Sequence, residues 1–207
     1  MSLEEQVEQT FSELNISEIN RQSVRNYLEV LKRKDKETYE HSARVGLLGV
    51  RVAGYMHLNP KILFFAGALH DIGKLLVLPE TLRKKVGFDE KDMEQLRKHS
   101  YYTYSMLRGV HEYSAEIALR HHQYQEKGYP KKLPRMRIGY SQATRAMIPF
   151  YARILSLIDF YDAATTREND KFGEVRKLSR DEVRALMLKE NTDVASLVED
   201  LFKSNIF

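Results

Sequence analysis

The chain has 207 residues, of which 33 are Lys or Arg and 29 Asp or Glu, for a formal net charge of +4. That length suits one well-buried core, and 30% charged residues beside 43% hydrophobic ones exclude a disordered chain or a membrane bundle. With no Cys there is no disulfide, thiolate zinc site or cysteine nucleophile, so any metal must be held by His and carboxylate. The opening "MSLEEQVEQT" lacks the basic and apolar regions of a signal peptide, and a cytoplasmic location is expected.

Hydrophobic periodicity reads as helix throughout, which predicts an all-α bundle of about seven to nine helices. Residues 1–33 read as a short extension of two amphipathic helices packed on a domain that spans 34–207. A long helix is expected from about Glu37 to His57. Asn59 as N-cap and Pro60 at the first helical position then open another. Along it Phe65, Leu69, Ile72 and Leu76 predict one continuous buried stripe, which Pro79 ends. Further helices are expected over Glu90 to Leu107 and Glu112 to Gln123. An irregular stretch follows from Gln125 to about Ser141, of a length that is often functional. After Pro149 comes "FYARILSLIDFYDAATT", a nearly apolar helix carrying Asp159 and Asp162, and "SRDE" at 179–182 is a capping box that opens a terminal helical pair.

The chemistry concentrates in a few polar residues set among apolar ones. "FFAGALHDIGKLL" places His70, Asp71 and Lys74 at the edge of a core face, where each needs a partner or an ion. Gly73 hints that another backbone or a ligand comes close there. Taken alone the segment also reads as an Asp71–Lys74 ion pair beside a satisfied histidine. Glu37 and His41 share a helix face at i, i+4. His99, the adjacent His121 and His122, and Asp159 inside "SLIDFYD" complete eight candidate ligands: Glu37, His41, His70, Asp71, His99, His121, His122 and Asp159. One ion cannot use them all. Two metals bridged by an aspartate are the economical arrangement, and the mixed nitrogen and oxygen set favours iron or manganese over structural zinc. His57 and His111 have no such company and read as surface or loop histidines.

A first His, then "HDIGK", then "KHSYYTYSML", then "HH" with "GYP" soon after, then "IPFYARILSLIDFYDAATT" resembles the HD superfamily of metal-dependent phosphohydrolases, in its HD-GYP branch. The resemblance runs from about Asp35 to the C-terminus. It implies an all-helical fold, a two- or three-metal centre and hydrolysis of cyclic di-GMP. It also implies metal ligation by His41, His70, Asp71, His99, His121, His122 and Asp159, with Glu37 serving a third ion and Lys74 beside the scissile phosphate. The departures fall together: "HHQYQEKGYP" has Gln123 in place of a glutamate and lacks an Asp-Gly, and "TTRENDKFG" displaces Arg167 by one position while keeping Lys171 in register.

The expected mechanism uses a hydroxide between two ions sharing Asp71, with Lys74 as a point charge at the reacting phosphate. Arg153, Arg167, Lys171 and Lys127 are candidates to hold the other phosphate or a guanine face, and Tyr124, Tyr129 or Tyr151 could stack on a base. The expected ligand is a cyclic dinucleotide or nucleotide, not duplex nucleic acid, with control from a homodimer or a separate sensor protein. A mononucleotide phosphohydrolase and a non-catalytic scaffold domain are the competing readings.

Overall fold

Six of the described helices begin on a capping side chain. A computed structural model describes residues 1–84, 87, 89–168 and 176–207. In it α1 (Leu3–Glu13) opens on a reciprocal Ser2–Glu5 capping box, and α2 (Glu18–Lys34) follows. The N-terminus of α3 (Lys36–Tyr55) is capped by Asp35, which accepts from the Thr38 amide, and that of α4 (Pro60–Leu69) by Asn59, with Pro60 at its first position. Then come α5 (Pro79–Arg83), α6 (Glu90–Arg97), α7 (His99–Leu107) and α8 (Glu112–Arg120). The last three are α9 (Gln142–Thr166), α10 (Arg180–Glu190), which starts on the expected Ser179–Glu182 box, and α11 (Ala195–Lys203). Every regular element among the described residues is helical, and none is long and apolar enough to cross a membrane.

Two apolar clusters hold the bundle. Val7, Phe11, Val24, Leu28 and Leu31 of α1 and α2 are buried with Phe64, Leu69, Ile72, Leu107 and Leu119, so the N-terminal helices share a core with the helices that follow. Leu155 and Ile158 of α9 pack with Val183 and Met187 of α10 and Leu201 and Phe202 of α11. The α3–α4 crossing is close because glycines line it. A Cβ on Gly67 would lie 2.8 Å from the Val45 carbonyl, and one on Gly49 2.9 Å from that of Leu63. This contact brings His41 of α3 beside His70 at the end of α4, with ring centroids 5.2 Å apart.

The structure departs from the sequence expectations at helix boundaries. Eleven α-helices appear among the described residues instead of seven to nine, mainly because expected helices are broken. The helix through "HDIGK" stops at Leu69 and continues as a 3-10 turn, Ile72–Leu76. The reason is a competing partner. The Thr103 hydroxyl of α7 donates to the His70 carbonyl and accepts from the Gly73 amide, both at 2.9 Å, displacing the bonds that helix continuation would use. The expected buried stripe therefore ends early, and Leu76 is 59% exposed. The helix from Glu90 breaks at Lys98, where the Lys98 amide closes a tighter turn onto Gln95 and the His99 ring takes the Leu96 carbonyl. Conversely, α9 starts well before Pro149, because Ser141 caps it, and the proline is carried inside.

Gly73 is the most tightly enclosed of the described glycines. A Cβ there would lie 2.0 Å from the His99 carbonyl and 2.5 Å from the Thr103 amide, both backbone atoms that cannot swing away. Gly73→Ala is therefore expected to cost about 1–3 kcal/mol of stability, in the range of other overpacking changes. Urea denaturation checks this, and an unchanged midpoint would contradict it.

Candidate metal centre

Five histidines and two aspartates converge from five segments. His41 comes from α3, His70 and Asp71 from the end of α4, His99 from the start of α7, His121 and His122 from the turn after α8, and Asp159 from α9. One local device recurs three times. The Nδ1–H of His70, His99 and His121 donates to the carbonyl three residues earlier, of Gly67 at 2.7 Å, Leu96 at 2.6 Å and Ala118 at 2.5 Å. Each ring thus closes the helix end before it, and the bond fixes which nitrogen carries the proton. The opposite nitrogen, Nε2, is then a lone pair. In all three residues it is buried without a hydrogen-bond partner, as is Oδ1 of Asp71. Buried polar atoms are nearly always satisfied, so four orphans in one place mark a missing ligand.

The aspartates straddle the cluster. Asp71 turns Oδ2 toward His70 (3.4 Å) and His41 (3.8 Å) and Oδ1 toward His99 (3.3 Å). Asp159 turns Oδ1 toward His41 (3.0 Å) and His70 (3.7 Å) and Oδ2 toward His122 (3.9 Å). Potential ligand atoms fall into tight groups: His41, His70 and Asp71; His70, His121 and Asp159; His99, His121 and His122. Lys74, 9% exposed, donates to Asp71 Oδ2 at 2.6 Å. This donor set of imidazoles and carboxylates fits divalent metal ions.

Burial dominates the titration of three of the rings. It pushes His99 down to about 4 and His121 to about 3, and lowers His122 well below its usual value. At His70 burial is outweighed by the charges of Asp71 and Asp159, and its value rises. Burial likewise opposes ionisation of Asp71 and Asp159, yet His70, Lys74 and His99 around the first, and His41 and His70 around the second, hold both well below the carboxylate range. Within the metal-free cluster three rings with lowered values therefore oppose one with a raised value. As pH falls below about 6.5 the unfolded chain takes up protons on those three rings before the folded one does, so stability is lost. The lowered aspartates add to the loss below about pH 4. Thermal denaturation of the chelator-treated protein should show Tm falling by several degrees from pH 7 to pH 4. A Tm that rises over that range would contradict this balance.

A cleft of about 550 Å³ opens onto the cluster. Asp71, Lys74, His99, His122 and Asp159 line it, together with Lys127, Tyr129 and Arg167. Tyr129 is stacked on His122, with centroids 4.5 Å apart. Other expected site residues lie elsewhere. Glu37 is exposed in the first turn of α3 and is absent from the ligand groups, so its i, i+4 spacing to His41 does not bring it to the cluster. Arg153 is buried and committed to structure. It is paired with Asp193 at 2.7 Å, donates to Asn191 and lies over the Tyr124 ring, so it does not line the cleft. Lys171 falls outside the described residues. His57 is exposed, as expected, but His111 is buried against Phe65 and bonded to the Ser23 hydroxyl.

The HD domain family model matches residues 38–164, more than half of the chain and every residue of the cluster. The chain belongs to the HD-domain family. This HD domain is 28% identical over 162 residues to a cyclic di-GMP phosphodiesterase of Thermotoga maritima, covering 70% of the chain and 41% of that protein. It is 27% identical over 188 residues to the 3'3'-cGAMP-specific phosphodiesterase 2 of Vibrio cholerae, covering 85% and 34%. The chain thus spans between a third and about two fifths of the length of these curated relatives. Among solved structures, the HD domain of the L. monocytogenes phosphodiesterase PgpH superposes with a TM-score of 0.56 at 19% identity, over 87% of the chain and 86% of that domain, which establishes the shared fold.

Within this HD domain the departures from the HD-GYP pattern have local structural roles. The Gln123 amide donates to the Pro130 carbonyl at 3.2 Å, and the Tyr129 amide donates to the His122 carbonyl at 3.2 Å, so the shortened segment folds back over the paired histidines. Two contributors escaped the sequence reading. Asp162 accepts from His41 Nδ1 at 2.7 Å, and Arg44 forks onto Asp162 at 2.7 and 2.9 Å. Their signal was positional: Arg44 stands three residues after His41, and Asp162 three after Asp159, each on the same helix face.

Proposed function

We propose that this chain hydrolyses a phosphodiester bond of a cyclic dinucleotide, cyclic di-GMP or 3'3'-cGAMP, with two divalent ions of iron or manganese bound by His41, His70, Asp71, His99, His121, His122 and Asp159. The observation that carries this reading is the set of orphaned buried atoms, Nε2 of His70, His99 and His121 with Oδ1 of Asp71, in a cluster of which Asp71 and His99 line an open cleft beside Lys74. The names of the relatives supply the substrate class. A scaffold domain has no use for four unsatisfied donor atoms, which burial makes costly. The exposed position of Glu37 favours two ions over three.

When bound, such ions activate water as a nucleophile and neutralise phosphate oxygens. The chain's own groups do the rest. Asp71 and Asp159 each turn one oxygen to either half of the cluster and hold its two ligand sets at a fixed spacing. Lys74 places a cation where charge grows on the reacting phosphate. Arg167 and Lys127 hold the second phosphate in the cleft, and Tyr129, stacked on His122, presents a face for a base and excludes water from one side. The pockets that bind small ligands commonly span 300–1,000 Å³, so the cleft suits a dinucleotide rather than a duplex. A cytoplasmic location agrees with such a messenger and with the absence of Cys. Control would then come from a second copy or a separate sensor protein.

A nucleotide panel tests the substrate. Protein reconstituted with Mn(II) or Fe(II) is incubated with cyclic di-GMP, 3'3'-cGAMP, linear dinucleotides and GMP, and products are separated by chromatography. A linear dinucleotide formed from a cyclic one is expected. Turnover of mononucleotides alone would replace this substrate class.

A further inference from the structure

His41 differs from the other clustered histidines in what stands behind it. His70, His99 and His121 donate Nδ1–H to neutral backbone carbonyls, and Nδ1 of His122 meets the Gln125 amide at 2.8 Å. Nδ1 of His41 instead meets a carboxylate, Asp162 Oδ2, at 2.7 Å. Asp162 is 5% exposed and held in place by Arg44, whose Nε and Nη2 reach Oδ1 and Oδ2 at 2.7 and 2.9 Å. Arg44 Nη2 also reaches the Thr166 hydroxyl, which in turn donates to the Asp162 carbonyl at 2.6 Å, so Arg44 is itself anchored to the helix that carries Asp162. A carboxylate that accepts the second N–H of a ligand histidine orients the ring and makes its other nitrogen a stronger donor.

The two halves of the cluster are unequal for a second reason. In one half, His41 and His70 face the nearest oxygens of both aspartates, at 3.0 to 3.8 Å. In the other, which holds His99, His121 and His122, the carboxylate oxygens stand 3.3 Å from His99 and 3.9 Å from His122. We infer that the half containing His41 takes up a divalent cation first and at least tenfold more tightly than the half containing His99, His121 and His122, and that Asp162 is the positioning residue that sets this order. The inference rests on the metal-centre reading above. Its consequence is that activity follows the metal concentration that fills the weaker half.

The test titrates chelator-stripped protein with Mn(II) and reads free Mn(II) by electron paramagnetic resonance. The wild type should bind in two steps separated tenfold or more. Asp162→Asn should weaken the tight step by about 10–100-fold and leave the weak one in place. His122→Gln should remove the weak step and keep the tight one, and this variant decides the matter if circular dichroism shows that Asp162→Asn does not fold. Two equal steps in the wild type, equal weakening of both by Asp162→Asn, or loss of the tight step in His122→Gln would each overturn the inference while leaving the metal centre standing. No Mn(II) bound by the wild type would overturn both.

Discussion

Asp71→Asn is expected to lower kcat on a cyclic dinucleotide by about a thousandfold or more and to lower bound metal with it. The side chain offers one oxygen to each half of the cluster, so the amide leaves each half short of a charged donor. Lewis-acid stabilisation is worth several kcal/mol, and about 4 kcal/mol corresponds to a thousandfold in rate. Asn keeps the volume of the buried side chain, so the effect reads chemistry rather than collapse of the core. Kinetics and metal content are measured on the same preparation. Near-normal turnover with a full metal complement would remove Asp71 from the centre.

Lys74→Met is expected to split those two readouts. Loss of one preorganised charge at a developing oxyanion costs about 100–1,000-fold in kcat, whereas no metal ligand is removed. Lys74 is nearly buried and donates to Asp71 Oδ2, so its apolar stem packs much as Met would. Bound metal should stay within a small factor of wild type, and KM should move less than kcat. If metal is lost in proportion to activity, Lys74 supports Asp71 and does not meet the substrate.

The all-helical class was legible because no stretch alternates in the manner of a strand and because caps such as Asn59 and Ser179 announce themselves. The cluster was legible as an improbable number of histidines and carboxylates among apolar neighbours. What the sequence hid was how these residues are presented. His70, His99 and His121 read as mid-helix residues, yet each sits at a helix boundary created by tertiary bonds: Thr103 to His70 and Gly73, and ring nitrogens to carbonyls of the preceding turn. Local periodicity carries no record of a hydroxyl that arrives from a helix some thirty residues away. Glu37 shows the reverse error. Its i, i+4 spacing to His41 was sound helical geometry, but only the depth of α3 in the bundle decides which of the two reaches the interior. Arg153 looked like a phosphate ligand until Asp193 and Asn191, forty and thirty-eight residues on, claimed its guanidinium.

The measurement that bears most directly on this account is metal analysis by inductively coupled plasma mass spectrometry on protein purified without chelator, beside the Asp71→Asn variant. About two equivalents of iron or manganese per chain, reduced in the variant, is the result the account predicts. A chain that carries no metal and takes up none from millimolar Mn(II) would contradict it, leaving Asp71 and Lys74 as a buried ion pair and the histidines without a chemical purpose.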